Sequence, residues 1–281
     1  LTFISFQLTS VLFGINAVAF HGINLLLHFG SAVLVMCILE RVTGNRFLAF
    51  VTALLFAVHP LNVEAVMWAA ARKDVLAMFF GFLSILCVLR GADGESTFGW
   101  KWGLAFFALA LLSKVSVISI PVILLVLLVW KWDVPKRELI KNLVPFFALS
   151  VIFGIVALVG KTNIIASTNA FETVLLVCRS IVFTLQKILV PTGLAVIYPV
   201  SPPITFATAG ILTSVIVVIL LAIAVILLRK RMPSLWISVL LFLIAFLPNA
   251  TNFTKNGFLV FASDRYAYLA SVVVLALITG G

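Results

Sequence analysis

Nine apolar stretches set what this chain can become: Val18–Leu39, Phe47–Val58, Val75–Leu89, Trp100–Leu112, Val115–Trp130, Val144–Gly160, Ile211–Leu228, Leu235–Leu247 and Tyr266–Ile278. Backbone inside a bilayer must satisfy its own hydrogen bonds, so it is either helix or closed barrel. Barrel strands alternate apolar and polar residues at every second position, and these stretches do not. The reading is all-α: a single polytopic α-helical transmembrane domain over residues 1–281, with about nine spans. A full crossing takes about 20 residues. The shorter stretches must therefore tilt little, borrow polar flanks, or sit among neighbours. Composition agrees, with 64% hydrophobic and 10% charged residues and a mean hydropathy of +1.29. Soluble domains carry about 25% charge. A soluble enzyme, a disordered chain and a nucleic-acid-binding module are excluded, and the natural partners are membrane lipids. The +10 net charge is then read as cytoplasmic loop charge, with no nucleic acid as partner. Cys37, Cys87 and Cys178 stand singly in apolar surroundings, which suggests neither a disulfide framework nor a zinc site.

The basic residues orient the bundle. With the Glu40–Arg46 turn inside and the stretches alternating, the Arg90–Lys101, Lys131–Lys141 and Arg229–Arg231 connections also fall inside. Together these loops hold 11 of the 19 Lys and Arg residues, as the positive-inside rule expects. The map requires that Thr173–Val190 does not cross. It carries Arg179, Gln186 and Lys187, and each charge at mid-bilayer costs about 2.5–3.5 kcal/mol on insertion scales. This stretch is read as one amphipathic or re-entrant helix on the outer side. His59–Asp74, Lys161–Thr173, Pro191–Thr208 and Pro248–Arg265 then share the outer surface.

The densest polar patch runs from His59 to Asp74. Pro60 ends one helix and suits the first turn of the next. Glu64, Trp68 and Arg72 follow at steps of four, hence on one helical face, with Lys73 and Asp74 behind them. Ionisable groups at or in a membrane are functional candidates; the competing reading is a loop helix solvated by water and headgroups. His21, Asn24 and His28 share a face of the first stretch. The two histidines lie about 10 Å apart along the axis, too far for one metal with ligands at about 2 Å, so interhelical hydrogen bonds are the better reading. Lys114 sits at an outer turn, where an ammonium can meet a phosphate or simply snorkel to headgroups. Tyr198 is held between turn formers, and Asp264 and Arg265 open the last stretch. Asn249-Ala-Thr and Asn252-Phe-Thr match the glycosylation triplet, which is common by chance.

Several segments in order resemble one family: Leu1-Thr-Phe-Ile-Ser-Phe-Gln-Leu8, His21-Gly-Ile-Asn-Leu-Leu-Leu-His28, Leu55-Phe-Ala-Val-His-Pro-Leu-Asn-Val-Glu-Ala-Val66, Ala71-Arg-Lys-Asp74, Leu111-Leu-Ser-Lys114, Leu194-Ala-Val-Ile-Tyr-Pro199 and Asp264-Arg-Tyr-Ala-Tyr-Leu269. They are similar to the membrane region of the transmembrane and tetratricopeptide-repeat O-mannosyltransferases and their bacterial relatives, in the glycosyltransferase C superfamily. The resemblance implies a multi-pass enzyme of the bacterial inner membrane or the endoplasmic reticulum membrane. Such an enzyme moves a sugar from a polyprenyl-phosphate donor to a protein or glycan acceptor, with chemistry on the periplasmic or lumenal face. It further implies an upstream span with an acidic loop bearing the main base, and tetratricopeptide repeats downstream, so the chain alone is expected to be inactive. A divalent metal is left open as cofactor, with no metal ligand assigned. On this reading Arg72, Lys73 and Lys114 hold the carrier phosphate, with Arg265 and Asp264 beside them. Glu64 and Asp74 are the catalytic candidates within the chain, orienting the site or assisting a metal, His59 is a ligand or hydrogen-bond donor, and Tyr198 and Trp68 pack on sugar or isoprene. A transporter or flippase, or a non-catalytic scaffold, are the alternatives. The former should show an internal repeat with paired broken helices, and no repeat is visible in the sequence.

Overall fold

The computed structural model describes every residue except 133, 162–168, 251, 252, 256, 257 and 281. Among the described residues the chain is almost wholly helical. The helices are α1 (Thr2–Phe13), α2 (Ala17–Thr43), α3 (Arg46–Val58), α4 (Val63–Met67), α5 (Arg72–Ala92), α6 (Gly99–Ser113), α7 (Ile120–Lys131), α8 (Lys136–Lys161), α9 (Ala170–Leu189), α10 (Ile211–Leu228), α11 (Pro233–Ala250) and α12 (Tyr268–Gly280). Each of the nine apolar stretches lies in or opens into one of them. α1 was absent from that set: its apolar residues are interrupted by Thr2, Ser5, Gln7, Thr9 and Ser10. Length and composition alone qualify four helices as spans: α2, the 69–92 helix, α8 and α10. A fifth is added if α3 and the 60–67 segment, bent by 51° to each other, count as one. By that measure the described residues hold four or five spans, fewer than the nine expected.

Local chemistry explains the breaks. Gly44 takes a left-handed φ of 71° and its N–H returns to Glu40 O, closing α2, while the Asn45 side chain accepts from Leu48 N to open α3. Such a conformation suits a residue without Cβ. Pro60 stops α3, since it has no N–H to continue the ladder. Asn169 and Glu172 form a reciprocal capping box at the start of α9.

The two ends of the bundle differ. At one, Arg41 pairs with Asp93 at 2.5 Å and with Glu95 at 2.6 Å, and Trp132 Nε1 donates to Asp93 Oδ1 at 2.6 Å. Five of the six tryptophans (Trp100, Trp102, Trp130, Trp132 and Trp236) sit at or beside helix ends there, with the 11 loop cations. An indole belt beside basic loops is the signature of a membrane–water interface. This is the basic end. The other end carries the 59–71 segment, Lys114, the 190–210 loop and a small antiparallel sheet. In that sheet β3 (Phe258–Ala262) lies between β1 (Tyr198–Pro199) and β2 (Thr254–Lys255).

α5 and α6 form the tightest pair. A Cβ on Gly99 would lie 2.5 Å from Cys87 O and 2.7 Å from Gly91 Cα, and one on Gly103 would lie 2.5 Å from Val88 Cγ2. Ser84 Oγ donates to Gly103 O at 2.7 Å across the same seam. Small residues four apart allow this backbone approach where lipid supplies no hydrophobic drive between helices. α9 buries Leu175, Leu176, Ser180, Phe183, Thr184 and Ile188 on one face. It lies against α10, β3 and the start of α12 at the non-basic end, as an amphipathic helix would. Residues 162–168 of the preceding connection, and Asn252 of the second glycosylation triplet, lie outside the described residues.

Candidate active site at the non-basic end

The 3-10 turn Asp264–Ala267 opens α12, and the four consecutive residues 263–266 gather most of the expected side chains. Glu64, from α4, accepts the Arg265 backbone N–H on Oε2 at 2.9 Å. Arg265 Nη1 lies 3.1 Å from Glu64 Oε1, an ion pair with side chains only 8% and 6% exposed but without the alignment of a hydrogen bond. Ser263 Oγ donates to Val196 O at 2.7 Å and sits 3.3 Å from Glu64 Oε2. The guanidinium stacks 4.7 Å from the Trp68 ring centroid, a contact that strengthens away from water.

Asp264 Oδ1 accepts from the Tyr198 hydroxyl at 2.8 Å, and its Oδ2 accepts from Ala195 N at 2.8 Å. Burial pushes the Asp264 carboxyl above its ordinary value, against the hydrogen bonds from Tyr198 and Ala195 and the nearby Lys187. Burial first, then the hydrogen bond and charge of Asp264, push the Tyr198 phenol up. The phenol is therefore a neutral donor at physiological pH. Its ring packs edge-on to Phe183, centroids 4.4 Å apart.

Tyr266, the fourth residue of the group, lies under two cations: its ring centroid is 5.8 Å from Arg265 Cζ and 5.5 Å from Lys114 Nζ. Lys114 ends α6 and pairs with Asp74 Oδ1 in the first turn of α5. The Asp74 side chain is 4% exposed, and its Oδ2 is buried without a hydrogen-bond partner among the described residues. A buried carboxylate oxygen without a partner costs more than an exposed one, and such atoms gather at functional sites. Glu64, Asp74, Lys114, Tyr198, Asp264 and Arg265 thus form one connected cluster drawn from five elements.

Three expected residues lie apart from this cluster. Arg72 is fully buried and faces α1 and α2. Nε donates to Asn24 Oδ1 at 3.0 Å, Nη1 to Thr9 Oγ1 at 2.7 Å and Ser5 O at 3.2 Å, and Nη2 to Phe20 O at 2.8 Å. Phe6 and Phe20 flank its plane at 4.7 and 5.0 Å. The expectation that it holds a carrier phosphate does not fit this arrangement, because the guanidinium is enclosed by protein acceptors. His59 is likewise occupied: Nδ1 accepts from Leu61 N at 3.2 Å, which leaves Nε2–H to donate to Ile188 O at 3.0 Å. The ring ties the end of α3 to α9 and has no nitrogen left to ligate a metal. Lys73 is exposed.

Asn24 and His28 make the expected interhelical bonds. Asn24 Nδ2 donates to Val66 O at 3.2 Å, and His28 bridges the Tyr268 hydroxyl at 2.6 Å and Ala57 O at 3.1 Å. Asn249 is buried, unlike a glycosylation acceptor in a loop. Ser263 and Tyr266 were not singled out in the sequence, although both stand in or beside the Asp264-Arg-Tyr-Ala segment. Among the described residues no three His, Cys, Asp or Glu side chains converge as metal ligands; Glu64, Asp74 and Asp264 each face a different partner.

Residues 3–160 match the profile of the dolichyl-phosphate-mannose-protein mannosyltransferases. The chain belongs to that family. Relatives of the family carry it further. The protein O-mannosyl-transferase TMTC1 of Mus musculus is 44% identical over 91 residues, 32% of this chain and 10% of the relative. TMTC2 of Homo sapiens is 34% identical over 101 residues, 35% of this chain and 12% of the relative. TMTC4 of Homo sapiens is 31% identical over 158 residues, 48% of this chain and 21% of the relative. The match thus spans between a tenth and about a fifth of these proteins' length. No solved structure matches the chain.

Proposed function

We propose that the chain forms the membrane core of a glycosyltransferase that moves a sugar, mannose in the family's own name, from a polyprenyl-phosphate carrier to a hydroxyl of a protein or glycan acceptor. The work is done at the non-basic end, the periplasmic or lumenal face. In the transfer the acceptor oxygen bonds to the sugar's anomeric carbon, and the bond from that carbon to the phosphate oxygen breaks. The hydroxyl proton passes to a carboxylate, and the carrier phosphate leaves with the electron pair. Lys114 and Arg265 supply positive charge for the leaving phosphate, where a fixed cation in a dry site counts most. Glu64 and Asp74 keep those cations in place, Asp264 and Tyr198 hold the 190–200 loop over them, and exposed Lys73 steers the anionic headgroup. By resemblance the main base belongs to an acidic loop ahead of Leu1.

The observation that carries this reading is the gathering of Glu64, Tyr198 and Lys114 onto residues 263–266 in a chain that is only 10% charged. The test is sugar transfer by the full-length protein in proteoliposomes supplied with polyprenyl-phosphate mannose. Lys114→Ala should lower turnover by about 10²–10³-fold, the loss typical of removing one charge-stabilising donor. Because it leaves Asp74 buried alone, the neutralised pair Asp74→Asn with Lys114→Gln is measured beside it. Near-normal turnover in either folded variant would overturn the assignment.

A further inference from the structure

A second feature lies at the opposite end. Between α2, α5, α7, α11 and α12 the basic end opens into a cavity of about 410 Å³, within the range of about 300–1,000 Å³ that encloses small ligands. Its wall is hydrocarbon, built by Val35, Phe82, Leu241 and Val272, while Thr43, Lys131 and Ser234 are its polar edge. Trp130 stands beside Lys131 in the same lining, at the level of the indole belt.

An apolar void this large forfeits dispersion contacts along its whole wall, and the solvent around a membrane helix is acyl chain. Charge decides which lipid. Of the acids at this end, Asp93, Glu95 and Glu40 are engaged by Arg41, Arg90 and Arg46, Glu138 follows Lys136 and Arg137 in the first turn of α8, and Asp133 lies outside the described residues. Lys131 lines the cavity itself, and Arg229, Lys230 and Arg231, all exposed, immediately precede the Met232 and Ser234 of its lining. Basic pockets between helices beside basic loops suit anionic headgroups.

We propose that this cavity is a binding site for one anionic glycerophospholipid, with an acyl chain between α2, α11 and α12 and its phosphate at Lys131. The proposal does not depend on the glycosyltransferase reading, since none of the site residues at the other end contributes to it.

The experiment is native mass spectrometry of the full-length protein, delipidated and then titrated with phosphatidylglycerol or phosphatidylcholine of the same acyl chains. One phosphatidylglycerol should be retained in preference to phosphatidylcholine. Lys131→Gln should weaken it about fivefold, the factor expected of one lysine near an anionic surface. Ala245→Phe, which fills the cavity, should abolish the retained copy, and Ser238→Phe is its companion if the first variant unfolds. Equal retention of the two lipids, or a bound copy that survives in a folded cavity-filled variant, overturns the proposal. So does displacement of phosphatidylglycerol by an equimolar polyprenyl phosphate, which would make the carrier the occupant.

Discussion

Arg72 shows how a charge can be kept inside a membrane bundle. Hydrogen bonds to a charged group contribute about 1.5–3 kcal/mol each, and the four it makes, with two aromatic faces, outweigh an insertion cost of about 2.5–3.5 kcal/mol. Its removal should therefore read out as stability. Arg72→Ala is expected to destabilise the detergent-solubilised protein by about 3–5 kcal/mol, as removal of one partner from a buried charged network does. Arg72→Lys should restore little, because an ammonium cannot reach acceptors on three sides as the planar fork does. Thermal unfolding followed by tryptophan fluorescence checks this. An Arg72→Ala protein as stable as the parent but unable to transfer sugar would return the residue to the phosphate. Asp264 offers a pH test. Its carboxyl is raised above the ordinary aspartate value of 3.8, chiefly by burial. A raised folded value means that its contribution is complete below the unfolded value and lost as pH rises through the folded one. Unfolding temperature should fall across the upper carboxylate range in the parent and less steeply in Asp264→Asn. Identical pH profiles in the two proteins would show that this carboxyl is not the cause.

At the scale of elements, the α5–α6 pair is specified by its glycines. Gly99→Leu would drive a side chain into Cys87 O and the Gly91 backbone, neither of which can rotate away. It should cost several kcal/mol, above the 1–3 kcal/mol usual for overpacking, and be measurable as a lowered unfolding temperature; an unchanged temperature would mean that the helices are not so close. Gly99-Trp-Lys-Trp-Gly103 has the small-residue spacing of helix contacts, a signal that a reading by apolar stretches passes over. The helices themselves were legible because each apolar stretch is long and bounded by Gly, Asn, Pro or charge. α1 was not, because its five polar residues interrupt the apolar run; the Thr9 hydroxyl and the Ser5 carbonyl of that helix receive Arg72. The site divides in the same way. Sequence placed Glu64, Asp74, Lys114, Tyr198, Asp264 and Arg265 at one end through alternation, yet their pairing needs contacts up to 201 residues apart. Helical spacing grouped Arg72 with Glu64 and Trp68, but the chain breaks at Trp68 before a new turn begins at Ala69. The regular step of four therefore fails, and Arg72 faces the other way.

For the molecule as a whole, sidedness depends on α9. It carries Arg179 and Lys187 and packs on α10 and β3; read as an amphipathic helix that does not cross, it leaves the regions before and after it facing the same compartment. Single cysteines at Ala170 and Ser201 should both react with an impermeant thiol reagent added from that compartment, and one at Pro135 should be protected. Reaction of the first two from opposite sides would mean that α9 crosses. The order of the residues along the chain adds something about biosynthesis. All the acceptors for Arg72 (Ser5, Thr9, Phe20 and Asn24) are translated before it. Asp74 likewise precedes Lys114, and Glu64 precedes Arg265. A ribosome feeding this chain into a membrane releases Arg72, Lys114 and Arg265 only after the counterparts of each have been made, so none of these three charges waits in lipid for a partner still to be synthesised.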